Sequence, residues 1–208
     1  MTRVLLAMGL AVAVCCGVGG SAQAGEFNQV LSIGDAAPSW KELPGTDDNK
    51  HSLADLKAKL VVVVFTCNTC PYAIDYEQRI NELAQRYAKD KDTLAVVAIN
   101  CNKQAEDKLP AMKKRAKDQQ YAFAYLHDAS QQTAKDFGAT RTPEFFLLDA
   151  KRRVVYMGAM DDSAELAKVK TKYLEDAIEA TLAGKEVPVA ETAPIGCAIR
   201  IDRRQRRK

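Results

Sequence analysis

Leu60-Val61-Val62-Val63-Val64-Phe65-Thr66-Cys67-Asn68-Thr69-Cys70-Pro71 is the stretch that decides the fold. Its first six residues are apolar without a break and mostly β-branched. That is the pattern of a short strand buried on both faces of a parallel sheet. Directly after Pro71, the apolar residues Tyr76, Ile80, Leu83 and Tyr87 recur at i, i+4, i+7 and i+11, which predicts an amphipathic helix over about 71–89. Its polar face sets Asp75 four residues before Arg79 and Glu82 four before Arg86, the favourable order for helical ion pairs. A C-x-x-C motif therefore stands where a buried strand becomes a helix.

Working outward, the same alternation repeats. Thr93–Asn100 reads as a second buried strand, 110–118 as a helix with Pro110 in its first turn, and Tyr121–Leu126 as a third strand. Ser130–Phe137 is predicted helical and ended by Gly138. Glu144–Leu148 and Arg153–Met157 flank the turn Asp149-Ala150-Lys151 and read as an antiparallel hairpin. Ser163 is placed to cap a last helix carrying Leu166, Val169, Tyr173, Leu174, Ile178 and Leu182, closed by Gly184. Toward the N-terminus, 33–40 is extended and Leu53–Lys57 is about one helical turn. The order implies an α/β domain: a central mixed β-sheet flanked by helices on both faces, with an N-terminal extension.

Composition agrees with one such domain. The chain has 208 residues, 47% hydrophobic and 27% charged, which excludes a wholly disordered chain and a polytopic membrane protein. A formal net charge of +3 gives no argument for nucleic acid, nor does any interleaving of aromatic and basic residues. Six cysteines, about 3% of residues, are far fewer than the roughly 8–10% of a disulfide scaffold. Their positions carry the information.

Residues 1–24 have the layout of a signal peptide: Arg3, the apolar stretch Val4–Val18, and Ala22-Gln23-Ala24 as an A-x-A cleavage site. The apolar run is about 15 residues, short of the roughly 20 that cross a bilayer, although an uncleaved anchor is the competing reading. Cleavage would remove Cys15 and Cys16 and leave Cys67, Cys70, Cys101 and Cys197 in a secreted or periplasmic setting, where thiols tend to oxidise. The expected organisation is then a domain over 25–185 and a C-terminal extension over 186–208. That extension contains Cys197 and, in Arg200–Lys208, six basic residues and one acid. Such a tail reads as solvated charge that could make weak contact with an anionic membrane surface.

The chemistry expected of Cys67 and Cys70 is thiol–disulfide exchange. A cysteine at a helix N-terminus meets unpaired backbone N–H groups and the positive end of the helix dipole, which favour a thiolate and a lowered pKa. The i to i+3 spacing brings Cys70 beneath it, close enough for a disulfide. Cys67 would attack a substrate disulfide, and Cys70 would resolve the mixed disulfide. A zinc site needs two more ligands, and Cys101, Cys197, His51 and His127 lack ligand spacing. Thr142-Pro143 is a second candidate element. The default for X-Pro is trans, but a cis bond would turn the backbone N–H and C=O of Thr142 toward the dithiol, where an extended peptide could pair with them.

In this order, several motifs resemble the thioredoxin-like redoxins, closest to secreted members of the AhpC/TSA and TlpA/ResA-like group. They are Gly34-x-x-Ala37-Pro38, Ser52–Lys57, the valine strand, the C-x-x-C, Gly138, Thr142-Pro143, Phe146–Asp149 and Gly158. The resemblance covers roughly 30–185. It implies a thioredoxin fold, Cys67 as nucleophile, Cys70 as resolving thiol and Pro143 as a cis proline. It also implies redox-active cysteines with no dissociable cofactor or metal, an upstream thiol electron donor, partner-protein thiols and disulfides, and a monomer.

Two departures stand out. Thr66 replaces the tryptophan that precedes the first cysteine in thioredoxin, and Leu60–Phe65 lacks thioredoxin's buried aspartate. A proton shuttle for Cys70 must come from elsewhere; Asp75, Glu77 and Glu144 are candidates, Glu144 first because it adjoins Pro143. Thiol peroxidase is the rival activity, but its P-x-x-x-[TS]-x-x-C signature places Val64 and Leu60 at the hydroxyl and proline positions before Cys67. A copper chaperone would use C-x-x-x-C and a distant histidine, one residue more than this spacing. For Cys101 and Cys197 three readings stay open: buried inert thiols, a bond between them, or Cys197 folding back as an additional redox partner of Cys67 and Cys70.

Overall fold

The computed structural model describes residues 25–90 and 92–202, so the expected signal peptide and the end of the basic tail lie outside the described residues. A short hairpin, β1 (Leu43–Pro44) with β2 (Lys50–His51), precedes β3 (Leu60–Phe65). Then follow α1 (Pro71–Arg86), β4 (Leu94–Asn100), α2 (Leu109–Asp118), β5 (Ala124–His127) and α3 (Gln132–Phe137). After these come β6 (Arg141–Thr142), β7 (Glu144–Leu148), β8 (Val154–Gly158), α4 (Tyr173–Leu182) and β9 (Cys197–Ala198). The central sheet runs β5-β4-β3-β7-β8, with β3, β4 and β5 parallel and the β7–β8 hairpin antiparallel to them. This is the mixed sheet that the sequence pattern implies.

All six residues of β3 are buried, and their side chains alternate between two apolar layers. Val62 and Val64 face Tyr76, Ile80 and Leu83 of α1 and Leu174 and Ile178 of α4. Val61, Val63 and Phe65 face Phe137 of α3, Trp40, Leu31 and Ile199. The second layer is thus closed by segments from both ends of the described residues. Asn28 binds the end of α3 through Nδ2 to Phe137 O, and the Glu191 carboxylate accepts from the backbone N–H of Glu26, Phe27 and Asn28. Among the described residues no helix is long and apolar enough to cross a membrane.

Four local expectations change. The third strand begins at Ala124 and the following helix at Gln132, later than the sequence pattern suggests. The last helix begins at Tyr173, not at Ser163. Its expected first turn is prevented by Arg79, whose guanidinium takes the carbonyls of Ser163 and Ala164, so they are engaged away from any helical ladder. Ser163 Oγ accepts from Glu165 N ahead of a single 3₁₀ turn at Leu166–Lys168, and Leu166 is exposed. The expected i, i+4 ion pairs of α1 also yield to tertiary ones: Arg79 pairs with Asp161 and Arg86 with Glu175.

The Arg79–Asp161 pair is buried, joined by the Tyr76 hydroxyl to Asp161, with the guanidinium stacked over the Tyr76 ring. It fixes α1 to the segment after β8. Asp161→Ala leaves Arg79 charged and buried without its anion, which costs about 3–5 kcal/mol. Urea unfolding should show a loss of that order, while Glu175→Ala, at the more exposed Arg86 pair, should cost less than about 1 kcal/mol.

Candidate functional site

The antiparallel register of β3 and β7 sets Phe65 opposite Glu144. The chain leaving β3 at Thr66-Cys67 must then run beside the chain arriving at β7 through Thr142-Pro143. The Thr142–Pro143 peptide bond is cis. Cys67 Sγ lies 3.4 Å from Thr142 Oγ1, and Cys70 Sγ lies 3.0 Å from Thr142 O. Of the residues singled out in the sequence, Cys67, Cys70, Thr142 and Pro143 come together here.

The cysteine pairing differs from the expectation for a C-x-x-C. Cys70 is bonded to Cys197, 127 residues away, and Cys67 is a thiol. The helix opens at Pro71 with Cys70 as its N-cap, so Cys67 precedes α1 by a turn and is not part of it. Its nearest polar neighbours are hydroxyls, Thr142 Oγ1 and, at 3.8 Å, Thr69 Oγ1. Neither sulfur is open to solvent. Cys67 and Cys70 are only 2% and 3% exposed, packed with Ala73 and Cys197.

The C-terminal segment is what covers them. β9 pairs antiparallel with β6, Cys197 opposite Thr142 and Ala198 opposite Arg141. Ile199 N donates to Thr140 O and its side chain enters the second apolar layer. Upstream, Thr192 binds Tyr156 and the N–H of Ala159; downstream, Gln131 donates to Arg200 O and accepts from Asp202 N.

Glu144 does not reach a sulfur through any hydrogen bond. One oxygen of its buried carboxylate accepts from Thr140 N at 2.7 Å and Arg141 N at 2.9 Å, bracing the loop before Pro143. Burial holds its pKa above the ordinary carboxylate value, against the opposing pull of those N–H groups. Asp75 and Glu77 are not at the sulfurs by hydrogen bond either; Glu77 pairs with Arg115. Cys101 ends β4 as a buried thiol, unbonded to Cys197. Burial pushes its pKa up to about 12, with the Asp128 charge adding to the effect. Little of it is thiolate at neutral pH.

The buried acid that the sequence reading missed is Asp107. It is fully buried and accepts from Asn68 N at 2.6 Å, Thr69 Oγ1 at 2.7 Å and Asn100 Nδ2 at 3.1 Å. Tyr125 OH completes the cage, accepting from Asn100 and donating to Asn68. The dipeptide between the cysteines is therefore held from below. Asp107 lies in a polar stretch, Lys103–Lys108, that gave no signal of burial. Among the described residues no group of three His, Cys, Asp or Glu side chains is arranged to hold a metal ion.

A parallel-plus-hairpin sheet with a C-x-x-C at the end of its central strand, facing a Thr-Pro loop, defines the thioredoxin-like redoxins. Residues 33–157 match the model of the AhpC/TSA family, and the chain belongs to that family. It is similar to an uncharacterized conserved protein from Geobacillus kaustophilus, at 32% identity over 85% of this chain and 95% of that one, TM-score 0.77. It is also similar to a hypothetical protein from Sinorhizobium meliloti 1021, at 35% identity over 85% and 98%, TM-score 0.77. A putative thiol:disulfide interchange protein DsbE from Chlorobium tepidum shares the fold, at 24% identity over 73% and 99%, TM-score 0.60. No curated protein matches the chain.

Two substitutions test this geometry. Asp107→Ala removes the acceptor of Asn68 N, Thr69 Oγ1 and Asn100 Nδ2, one of them buried and two partly buried, and should lower stability by about 1–2 kcal/mol in urea unfolding. Glu144→Gln removes a titration. Because the folded-state pKa of Glu144 is raised above its ordinary value of 4.5, its contribution is fully present below that ordinary value and is lost as pH rises through the folded value. The stability of wild type relative to Glu144→Gln should therefore fall between acidic and neutral pH; a difference independent of pH would contradict the assignment.

Proposed function

We propose that this chain is a thiol–disulfide oxidoreductase in which Cys67 is the nucleophile toward protein disulfides and Cys70 the thiol that resolves the mixed disulfide. One observation carries the reading: a thiol, Cys67, and a disulfide, Cys70–Cys197, sit in a single cluster against Thr142. Exchange needs an attacking thiolate, a disulfide within reach and a surface that holds the substrate chain. The edge of Thr142 supplies the last, since it pairs with an extended segment in register.

Attack by Cys67 on a substrate disulfide forms a mixed disulfide and releases one substrate thiolate. Cys70 then loses its proton, attacks Cys67 Sγ and releases the second. Thr142 and Pro143 position the substrate chain, and Glu144 holds their loop. Its hydrogen bonds support a positioning role for Glu144 over the proton shuttle that the sequence suggested. The electrons come from an upstream thiol donor, through the protein's own cysteines and no dissociable cofactor. The segment 1–24 supports work outside the cytoplasm, in a secreted or periplasmic setting, as a monomer acting on protein thiols and disulfides; nucleic acid has no place in it. The DsbE-like neighbour, described as a thiol:disulfide interchange protein, is consistent with this direction.

Insulin reduction and peroxide consumption, run on wild type, Cys67→Ser and Cys70→Ser, test the proposal. Disulfide reduction should drop to the uncatalysed rate in Cys67→Ser. Rapid peroxide turnover that survives Cys70→Ser would instead make the chain a thiol peroxidase.

A further inference from the structure

We propose that Cys197 is a third redox cysteine of this site, and that the C-terminal strand is an intramolecular occupant of the edge where a substrate peptide binds. This deepens the oxidoreductase reading and rests on it. Three independent features converge. The segment is extended and pairs with Arg141-Thr142 as an incoming peptide would, placing its cysteine opposite Thr142. That cysteine is bonded to Cys70, while Cys67 remains a thiol in the same cluster. Gly196, the residue before it, passes so close to the Thr142–Pro143 bond that an added Cβ would run into Thr142 O and come within 3.0 Å of Pro143 N. The sequence Ile195-Gly196-Cys197-Ala198-Ile199 is thus shaped to this edge, with glycine where the backbones approach and an apolar residue, Ile199, anchored in the core.

The exchange balances with a disulfide, RSSR, as oxidant. Cys67 thiolate attacks one sulfur, forming Cys67–S–R and releasing RS⁻. Cys70, giving up its proton, attacks Cys67 Sγ and releases the second RS⁻. Cys197, also deprotonated, attacks Cys70 Sγ; the Cys67–Cys70 bond breaks and Cys67 leaves as a thiolate. The two protons from Cys70 and Cys197 convert both RS⁻ to RSH, and the two electrons that reduce RSSR are those of the Cys70–Cys197 pair. The oxidised protein then holds its own strand over the edge, with its nucleophile preserved as a thiol beneath it. Run backward, attack by Cys67 on Cys70 frees the strand and opens the edge.

The test uses the chain from Gly25 to Lys208. The reduced protein is oxidised with glutathione disulfide, quenched with acid at intervals, alkylated and mapped without reduction. At completion, wild type should give the Cys70–Cys197 peptide pair with Cys67 and Cys101 alkylated, and Cys197→Ser should give Cys67–Cys70. Cys67→Ser should form the Cys70–Cys197 bond at least tenfold more slowly than wild type. Gly196→Ala, which keeps every cysteine, should shift the oxidised pair toward Cys67–Cys70.

Alkylated Cys197 in fully oxidised wild type overturns the proposal. Formation of Cys70–Cys197 in Cys67→Ser at the wild-type rate also overturns it, since the bond would then be a structural staple outside the exchange. Insulin reduction is scored separately. A chain that passes the mapping but reduces no insulin keeps Cys197 in the exchange and loses protein disulfides as the substrate; one that reduces insulin with Cys197 always free keeps its activity and loses this inference.

Discussion

Everything at the site depends on how completely β3 is buried. Val61 to Phe65 have no exposed surface, so the strand must have a hydrogen-bonded neighbour on each side and an apolar layer on each face. The parallel neighbour β4 and the antiparallel neighbour β7 meet that demand, and the β7 register then leaves no freedom about what lies beyond the end of the strand. A slip of one residue would turn Val62 and Val64 out of the layer they share with α1 and α4. With Phe65 fixed against Glu144, the next residues of each chain face one another, which brings Cys67 to Thr142. The sulfur chemistry is therefore placed by packing several residues away from any sulfur.

The polar residues then make that placement rigid. Asp107 and Glu144 are both buried carboxylates close to the cysteines, but each spends its acceptors on backbone N–H groups and neighbouring donors. Asp107 fixes Asn68 and Thr69 from one side, and Glu144 fixes the Thr140–Arg141 backbone from the other. A buried carboxylate with satisfied oxygens holds geometry well because moving it would leave its own oxygens without donors and several partly buried donors without an acceptor. Neither acid reaches a sulfur by a hydrogen bond, so both act here as bracing groups and the role of the aspartate that Leu60–Phe65 lacks is left unfilled by them.

The legible parts of the sequence were those whose signal is local. The valine run, the α1 periodicity, the C-x-x-C and the Thr-Pro step each state their role within a dozen residues, and the family resemblance followed from their order. What failed was decided by distant partners. Arg79 reads as one member of an i, i+4 pair, yet it is buried against Asp161 and takes the two carbonyls that would have begun the last helix at Ser163. Asp107 sits in a charged stretch that looks solvated, and only the three-dimensional arrangement of Asn68, Thr69 and Asn100 makes it a buried acceptor. Cys197 is legible as a candidate redox cysteine, but its partner lies 127 residues away and no pattern in the chain distinguishes Cys70 from Cys101.

The anchoring of the C-terminal segment decides how Cys197 competes with a substrate. Thr192 is held by Tyr156 and Ala159, and Ile199 is held in the core, so Cys197 swings on a tether of only a few residues between two fixed points. A short tether gives its thiol an effective concentration on the order of millimolar or higher at Cys70, far above that of a typical protein partner. β9 itself pairs over two residues only, which is too little to stay on the edge against water without the flanking anchors or the covalent bond. The docked strand keeps its flanking anchors in either redox state, and the bond to Cys70 is added to them only when the pair is oxidised. On the proposed exchange, an external peptide would reach Thr142 only once Cys197 is released from Cys70.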